Sequence, residues 1–479
     1  MNFEVIIGIE NHIELKTKTK MFSPGKVNFN DPQNTNVHYT DIGWPGTMPT
    51  VNKKGVELAI KASAALGMKI DNKLIFDRKN YFYPDLPKGF QITQFYHPIG
   101  RDGKLEIMDL KKELKTITIE RIHIEEDTAK QIHANNKTYL DYNRAGVGLI
   151  EVVTDPVFRN AHEVKEYIKL LREILLYTDV SDAKMNEGSL RCDVNISLRP
   201  IGSNLLFNRI EVKNLNSLNN IEKAIEFEIK RQSEILLKGQ FIQMETRRFD
   251  EKTQKTILMR KKSDATDYKY FTESNIAPIK LEQKFINNIV DNLPELPQEK
   301  KLRFMKDYGL KIEEVNLILA SKSLAEFFEE TTKTTLKHDL IVNYILGDIL
   351  VVLNKKNIDI NSTFLTPKKL GKLIVFQTEG IISSKQAKSV IKYMFEEDLT
   401  PSDIIDKYNL KQISDATEIQ KLLEPIFNNN LKILNDFETR PERVQKFFMG
   451  ELMKLTKGQV NPVVGNKVIN ELIEKNINK

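Results

Sequence analysis

The periodicity of the sequence changes near residue 293, and this change limits the possible fold more than any other feature. Residues 1–292 mix strand-like alternation of apolar and polar residues with loops and a few helical patterns. After that point apolar residues recur at helical spacing, with scarcely a convincing strand. Pro294 and Pro297 predict a stiff junction between the two parts. Strands followed by helices are typical of an α+β protein, which is the fold class we predict.

Length and composition set broad limits on the kind of protein. A chain of 479 residues needs more than one core, and 40% hydrophobic with 29% charged residues is usual for a soluble protein. A net charge of +6 is too small for a DNA-coating protein, so we expect no DNA partner. The apolar runs are too short to span a bilayer, and the N-terminus lacks a targeting pattern. We therefore predict a cytoplasmic protein without membrane contact.

Four predicted strands carry ionisable side chains on one face. In residues 3–14 the two-residue period places three such groups on the polar side, namely Glu10, His12 and Glu14. Gly8 on the same side leaves room for a ligand near the backbone. In residues 116–127 one face is predicted to carry Ile117, Ile119, Arg121, His123, Glu125 and Asp127.

The other two predicted strands differ in character. Glu151 interrupts the apolar residues 149–153, and a carboxylate inside a buried strand is costly unless it is paired or bound to a metal. Residues 189–197 alternate cleanly, with Arg191 and Asp193 on the polar side. Cys192 lies on the apolar side, which favours inert packing over catalysis. As the single cysteine, it also excludes an internal disulfide and a cysteine-based zinc site.

Together these strands indicate an acid-lined concave sheet. Mg²⁺ prefers oxygen ligands and normally arrives with nucleotide phosphate, so such a sheet can hold Mg·ATP without a phosphate-binding loop. The sequence contains no P-loop and no Rossmann glycine pattern. A solvated sheet face is the alternative, and it is the usual explanation for one strand alone. Four such strands, one with a buried glutamate, favour a functional site.

Two loop segments allow more than one interpretation. Residues 76–92 alternate aromatic, cationic and Pro/Gly residues, so they either anchor a long loop or line a substrate channel or RNA-facing surface. Residues 213–217 lie between a strand and a helix. They either form a turn and helix cap or bind nucleotide through their amides. The candidate nucleotide-binding residues in this segment are Lys213, Asn214 and Asn216.

These stretches resemble the B-subunit family of the bacterial aspartyl/glutamyl-tRNA(Asn/Gln) amidotransferase. The resemblance is carried by residues 7–15, 76–91, 123–127, 141–144, 149–151, 187–193, 213–217, 245–250, 383–388 and 457–462. It covers essentially the whole chain, in order. It implies a glutamine-synthetase-like cradle domain over residues 1–292, with an antiparallel or mixed sheet. A helical domain over 293–407 and a small helical, tRNA-binding tail over 408–479 would follow.

The resemblance also implies a reaction and partners. ATP would phosphorylate the side-chain carboxylate of mischarged Glu-tRNA(Gln) or Asp-tRNA(Asn), and ammonia would displace the phosphate. Glutamine would supply the ammonia at a separate amidase (A) subunit, with a small C subunit completing a heterotrimer. The sequence agrees with a separate amidase, because Cys192 is predicted to be buried and no Gly/Ser-rich amidase loop is present. The choice between the two tRNA substrates stays open.

Residue roles follow from the resemblance by position. The implied Mg²⁺ ligands are His12, Glu125 and Glu151. The implied catalytic residues of the nucleotide–metal site are Glu10, Arg191 and Asp193. The implied lining of the ammonia passage is Lys79, Lys88 and Glu126. Many family members carry a Cys-x-x-Cys pattern near residues 36–43, which this chain lacks, so no zinc is expected. Residues 270–275 also depart from the family pattern, and their role is open.

Two other functions compete with this one. A non-catalytic tRNA-binding or assembly subunit of the same complex would use the acidic sheet only as scaffold, so acid-to-alanine changes would spare activity. A free-standing ligase acting on a small acid, resembling glutamine synthetase, would have no need of the long helical C-terminal half.

Overall fold

The structure is a computed structural model that describes residues 3–205, 207–261, 267–437 and 440–477. The chain divides into two compact units, Met1–Pro297 and Gln298–Lys479. The strands lie in the first unit, and the second unit is helical in its described residues. The predicted α+β class is thus confirmed. The three-domain limits at residues 292 and 407 stay a prediction.

A large mixed sheet dominates the first unit. The strands of this unit are β1 Phe3–Glu14, β2 Lys69–Ile70, β3 Lys73–Leu74, β4 Asp77–Asn80, β5 Phe90–Thr93, β6 Gly100–Met108, β7 Leu114–Glu126, β8 Lys130–Ala134, β9 Lys137–Asp141, β10 Gly148–Thr154, β11 Leu190–Pro200, β12 Ile210–Lys213, β13 Glu245–Asp250, β14 Lys255–Lys261, β15 Phe271–Thr272 and β16 Ile279–Lys280. The strand order of the large sheet is β14-β13-β12-β11-β1-β10-β7-β6-β2, and among these described strands only β12 and β13 pair in parallel.

Helices cover one face of this sheet and leave the other face for the ionisable residues. The helices of this unit are α1 Lys53–Ala65, α2 Ala161–Tyr177, α3 Leu218–Leu237 and α4 Gln283–Asp291. Each of the first three starts at a side-chain cap, as at Asn160, whose Oδ1 accepts from the Glu163 amide at 3.0 Å. Cys192 lies on the helix-covered face with Leu190 and Val194, so its predicted burial is confirmed.

One predicted face assignment is wrong. Ile117 and Ile119 do not share a face with His123, because they belong to the core together with Ile122 and Ile124. The register between β7 and β10 shifts between Val153 and Thr154. Such a bulge adds one residue to a strand and reverses the alternation of side chains beyond it. The ionisable half of β7 therefore lies on the opposite face from its first isoleucines.

The second unit consists of short helices. They are α5 Pro297–Tyr308, α6 Ile312–Leu319, α7 Lys322–Thr332, α8 His338–Asn343, α9 Leu350–Lys356, α10 Pro367–Thr378, α11 Ser384–Glu396, α12 Pro401–Lys407, α13 Ala416–Asn429, α14 Pro441–Leu455 and α15 Pro462–Ile477. A separate core joins α13, α14 and α15, and in it Phe427 stacks on Phe448 at 3.8 Å between ring centroids. Among the described residues, no helix combines the length and apolar character needed to cross a bilayer.

Candidate active site

The ionisable face is assembled around β1, the strand at the centre of the large sheet. His12 of β1 lies opposite Glu151 of β10 and opposite Arg191 of β11. Glu10 lies opposite Asp193 of β11 in the same way. Side chains of directly opposed residues lie close to one another on the same face of a sheet. The register therefore brings together acids and bases that are far apart in the sequence.

The predicted metal ligands form the first cluster. His12, Glu125 and Glu151 each offer one ligand atom, and these atoms all lie within 4.8 Å of one another. The Nε2 atom of His12 lies 3.5 Å from Oε2 of Glu151. Oε2 of Glu125 is buried and has no hydrogen-bond partner, which is costly for a buried carboxylate oxygen. An oxygen of this kind is suited to a bound cation.

His123 completes the first cluster, although the sequence interpretation gave it no role in the site. Its Nε2 lies 3.0 Å from Oε2 of Glu151 and 3.7 Å from Oε2 of Glu125. Burial opposes its positive charge, but Glu151 and Glu125 outweigh burial and raise the pKa of His123 to about 9. Burial also opposes ionisation of Glu151, but His123 and His12 hold the pKa of this carboxyl well below its usual value. The signal for His123 was its position two residues before Glu125 on the ionisable face.

Lys79 lies against the same cluster. Its Nζ is 3.8 Å from Oε1 of Glu125, and this carboxylate and Glu151 raise the lysine's pKa against the effect of burial. Gln91, another residue without a predicted role, donates from Nε2 to Oε1 of Glu125 at 2.9 Å. Tyr81 in turn donates to Oε1 of Gln91 at 2.6 Å. Glu125 is therefore held in place from the side of β4 and β5.

A second carboxylate cluster lies on β1 and on the strands β11 and β12, which follow β1 in the direction away from β10. Ligand atoms of Glu10, Asp193 and Glu211 also lie within 4.8 Å of one another. Nζ of Lys213 is 2.6 Å from Oδ2 of Asp193 and 3.0 Å from Oε1 of Glu211. Burial, followed by the charges of Glu151 and Asp193, raises the pKa of Glu10. The sequence interpretation missed Glu211, which alternation in β12 places on the same face as Lys213.

Arg191 is held by a carboxylate of the protein itself. Its Nη1 donates to Oδ1 of Asp127 at 3.2 Å, and its Nη2 donates to Oδ2 of the same residue. Nη2 also lies 3.9 Å from Oε1 of Glu14. Burial and the neighbouring Asp127 raise the pKa of Glu14 to about 7. The implied catalytic role of Arg191 stays a prediction.

The three residues assigned to an ammonia passage do not form one contact group. Lys88 pairs with Glu126, whose Oε1 also accepts from the Ile92 amide at 2.9 Å. Lys79 instead pairs with Glu125, as described above. Glu125 and Glu126 therefore point to different partners, as expected of neighbours on a strand. Their roles in a passage stay a prediction.

The segment after β12 forms a turn and a helix cap. Asn214 and Asn216 are exposed, and Nδ2 of Asn214 donates to the Phe249 carbonyl at 3.2 Å. Ser217 accepts from the Asn220 amide at 3.1 Å and so caps α3. Of the three candidate nucleotide-binding residues, only Lys213 contacts the carboxylate clusters. Nucleotide binding by all three stays a prediction.

A cavity of about 460 Å³ opens beside the second cluster. Gly8, Glu10 and Asn195 line its floor, while Arg121 and Arg209 are among its other lining residues. Nδ2 of Asn195 donates to Oε1 of Glu10 at 2.9 Å, which connects the cavity to the cluster. The cavity thus brings cations and carboxylates together, with Gly8 in its lining, although Pro156 lies 3.6 Å from where a Cβ on Gly8 would stand.

Fold and site together define a class of protein. Its members combine an α+β domain, which carries a buried carboxylate–histidine face, with a helical unit that follows in the chain. The comparison with known families makes this class specific. A family model described as the GatB/GatE catalytic domain matches residues 5–287, and one described as the GatB domain matches residues 326–473. The chain therefore belongs to the GatB family.

Individual relatives agree over the full length. A protein of Mycoplasma mycoides subsp. mycoides is 53% identical over 477 residues, which cover 99% of this chain and 100% of the relative. A Mesoplasma florum protein is 50% identical, covering 99% of each chain. A more distant protein, from Oceanobacillus iheyensis, is 42% identical over 98% of this chain and 99% of its own. All three are named as the B subunit of aspartyl/glutamyl-tRNA(Asn/Gln) amidotransferase.

Proposed function

We propose that this chain is the catalytic B subunit of a glutamine-dependent aminoacyl-tRNA amidotransferase, a ligase that forms a carbon–nitrogen bond at the expense of ATP. The substrate would be mischarged Glu-tRNA(Gln), Asp-tRNA(Asn) or both. The observation that carries the proposal is the cluster of His12, Glu125 and Glu151, in a chain whose relatives bear that subunit's name.

The first cluster fits a hard divalent cation such as Mg²⁺. Its donors are two carboxylates and one imidazole, and Oε2 of Glu125 is buried without a hydrogen-bond partner. Such a cation, when bound, supplies charge neutralisation for a phosphoryl group in transfer. Glu10 and Asp193 of the second cluster add a further carboxylate group within the same face. Both clusters border the region where ATP phosphates would be held.

The chemistry requires activation because a carboxylate does not react with ammonia. A side-chain carboxylate oxygen of the substrate attacks the γ-phosphorus of ATP, the bond to the β-phosphate oxygen breaks, and ADP leaves. Ammonia then attacks the acyl carbon and expels inorganic phosphate, leaving the amide. Lys79 and Lys213, which contact carboxylates of the two clusters, would help to balance the negative charge of substrate and nucleotide.

The ammonia would come from a partner amidase (A) subunit, with a small C subunit completing a heterotrimer in the cytoplasm. Burial of the Cys192 thiol raises its pKa well above the ordinary value, so this residue is not a glutaminase nucleophile. The helical tail, residues 408–479, would bind the tRNA.

The test is reconstitution of the chain with its A and C partners, glutamine, ATP, Mg²⁺ and labelled Glu-tRNA(Gln). His12→Ala and Glu151→Gln should lower ATP-dependent phosphorylation at least about a hundredfold while tRNA binding is retained. Glu113→Gln, at an exposed glutamate between β6 and β7, is the matched control and should leave the rate unchanged.

The competing function is a non-catalytic tRNA-binding or assembly subunit. In that case His12→Ala and Glu151→Gln would turn over at the wild-type rate, and the catalytic carboxylates would belong to another subunit. A wild-type complex that converts no Glu-tRNA(Gln) and no Asp-tRNA(Asn) would contradict the proposal itself.

A further inference from the structure

Five aromatic side chains form a continuous surface, here called the aromatic wall: Tyr81, Phe95, Tyr96, Tyr268 and Tyr270. Phe95 stacks on Tyr270 with ring centroids 4.0 Å apart and planes 12° apart. Tyr96 lies 5.1 Å from Phe95, while Tyr268 lies 6.0 Å from Tyr270 and 5.8 Å from Tyr81. The rings therefore contact one another without a break.

The aromatic wall begins at the first cluster. Nζ of Lys79 lies 5.5 Å from the ring centroid of Tyr268 and 3.8 Å from Oε1 of Glu125. A single lysine side chain thus separates the rings from a candidate metal ligand. A substrate group that reaches Glu125 past Lys79 would have its remaining atoms near these rings.

The aromatic wall is partly exposed and at the same time fixed, with Tyr81, Tyr268 and Tyr270 half-buried. Phe95 is 44% exposed and Tyr96 is 51% exposed, yet the Tyr96 amide donates to Oδ2 of the buried Asp77 at 3.0 Å. On the other side, the Asn80 amide donates to the Tyr268 carbonyl at 2.9 Å. Contiguous exposed apolar surface of this kind usually marks a binding site.

The segment that carries Tyr268 and Tyr270 is anchored just beyond the rings. Glu273 is 1% exposed, and its carboxylate accepts from Nε and Nη2 of Arg78 at 2.5 and 2.9 Å. This anchor lies within residues 270–275, whose departure from the family pattern left their role open. The second half of the wall is therefore held against β4.

We propose that the aromatic wall binds the single-stranded 3′ end of the aminoacylated tRNA by stacking on its terminal bases. This inference rests on the proposed function, in which the reacting carboxylate is attached through the aminoacyl group to the terminal ribose. Aromatic side chains stack on any base, so one wall can hold the end of either mischarged tRNA.

Cations at the rim of the wall agree with an RNA ligand. Nη2 of Arg101 donates to the Tyr96 carbonyl at 2.8 Å, and Lys269 is exposed between Tyr268 and Tyr270. Both can meet the phosphates of a strand that runs along the rings.

The test uses the complex of the chain with its partner subunits and a tRNA(Gln) whose terminal adenine is replaced by 2-aminopurine, without ATP. Stacking quenches 2-aminopurine fluorescence, so the wild-type complex should quench it on binding. Phe95→Ala and Tyr96→Ala should abolish most of the quenching and raise the KM for Glu-tRNA(Gln) about tenfold, with kcat little changed. Phe95→Trp should keep both properties, because it keeps a stacking surface.

Phe241→Ala is the matched control, since Phe241 is 94% exposed and lies outside the wall. Wild-type quenching and KM in both alanine variants would overturn the inference. A third outcome would overturn the inference in favour of a protein interface. In that outcome the alanine variants no longer co-purify with the partner subunits, but the fraction that still forms a complex quenches 2-aminopurine as the wild type does. Because the quenching assay needs no ATP, a complex that quenches but converts no Glu-tRNA would contradict the proposed function and leave the aromatic wall supported.

Discussion

The charges around His12 are balanced within the protein. The carboxylates Glu125 and Glu151 face the cations His123 and Lys79 at distances of 3.0 to 3.8 Å. A buried carboxylate pair without such cations would be costly. The face can therefore fold before a nucleotide or cation binds, and a bound cation would compete with two protein cations for the same oxygens.

Cys192 provides a prediction for a single residue. The thiol is 2% exposed, and burial, followed by the nearby Asp193, raises its pKa. Iodoacetamide should therefore leave the native chain unlabelled at pH 8.5 and label it fully in denaturant, as measured by intact mass. The unfolded thiol loses its proton above about pH 9 while the folded thiol keeps it, so this group makes stability fall as pH rises past that value. Rapid labelling of the folded chain would contradict this, with Cys192→Ala as the blank.

Some site residues could be predicted from their neighbours in sequence and others could not. Glu151 stands out because a carboxylate interrupts an apolar run, and Glu10 with His12 because they alternate with the buried Ile9, Asn11 and Ile13. Alternation also places His123 on the face of Glu125 and Glu211 on the face of Lys213, but which side chains they meet depends on which residues lie opposite each other across strands. That register is fixed by pairing between distant segments, which a local period does not contain.

At the level of elements, the bulge in β7 determines which side chains reach the site. Alternation predicted the face of His123 and Glu125 correctly, but it wrongly assigned Ile117 and Ile119 to the same face. A bulge has no fixed sequence signature, because it depends on the pairing of the two strands. Without the shift at Thr154, either Ile117 and Ile119 would point away from the core, or His123 and Glu125 would point away from the ionisable face.

The 3₁₀ helix Tyr39–Ile42 lies in the segment where many family members carry a Cys-x-x-Cys pattern, and here a buried ion pair holds it. Nζ of Lys20 lies 2.7 Å from Oδ2 of Asp41, with side chains 0% and 2% exposed. Lys20→Met should cost about 3–5 kcal/mol of unfolding free energy, because it leaves a buried carboxylate unpaired. Chemical denaturation measures this loss.

An exposed pair of equal length is the control for that prediction. Nζ of Lys26 also lies 2.7 Å from Oδ2 of Asp31, but its side chain is 61% exposed. Lys26→Met should cost only about 0–1 kcal/mol, because water screens the pair. Equal losses in the two variants would show that burial of the Lys20 pair contributes nothing.

For the whole molecule, the sequence located the change from strands to helices but not the hydrophobic cores. The boundary between the two compact units falls at Pro297, one of the two prolines of the predicted junction. A separate core within α13, α14 and α15 is compatible with the predicted tail over residues 408–479. Which apolar helical faces meet depends on tertiary packing, and helical spacing alone does not specify the partner.

The separate core gives a prediction for the tail. A fragment of residues 408–479 should fold alone and melt cooperatively by far-ultraviolet circular dichroism, because its buried side chains pack against one another. Phe448→Ala should abolish that transition, since removing a buried phenylalanine costs about 3–5 kcal/mol, which is comparable to the stability of so small a domain. A non-cooperative melt of the wild-type fragment would contradict the predicted limits.

The position of β1 in the sheet has a consequence for synthesis of the chain. This strand comprises Phe3–Glu14 and is made well before its neighbours in the sheet, Gly148–Thr154 and Leu190–Pro200. Contacts between segments so far apart close slowly, and an unpaired strand with one apolar face is prone to aggregate. The nascent chain therefore carries its central strand without either partner until residue 154 has been made and without the second until residue 200, and aggregation is favoured most during this interval.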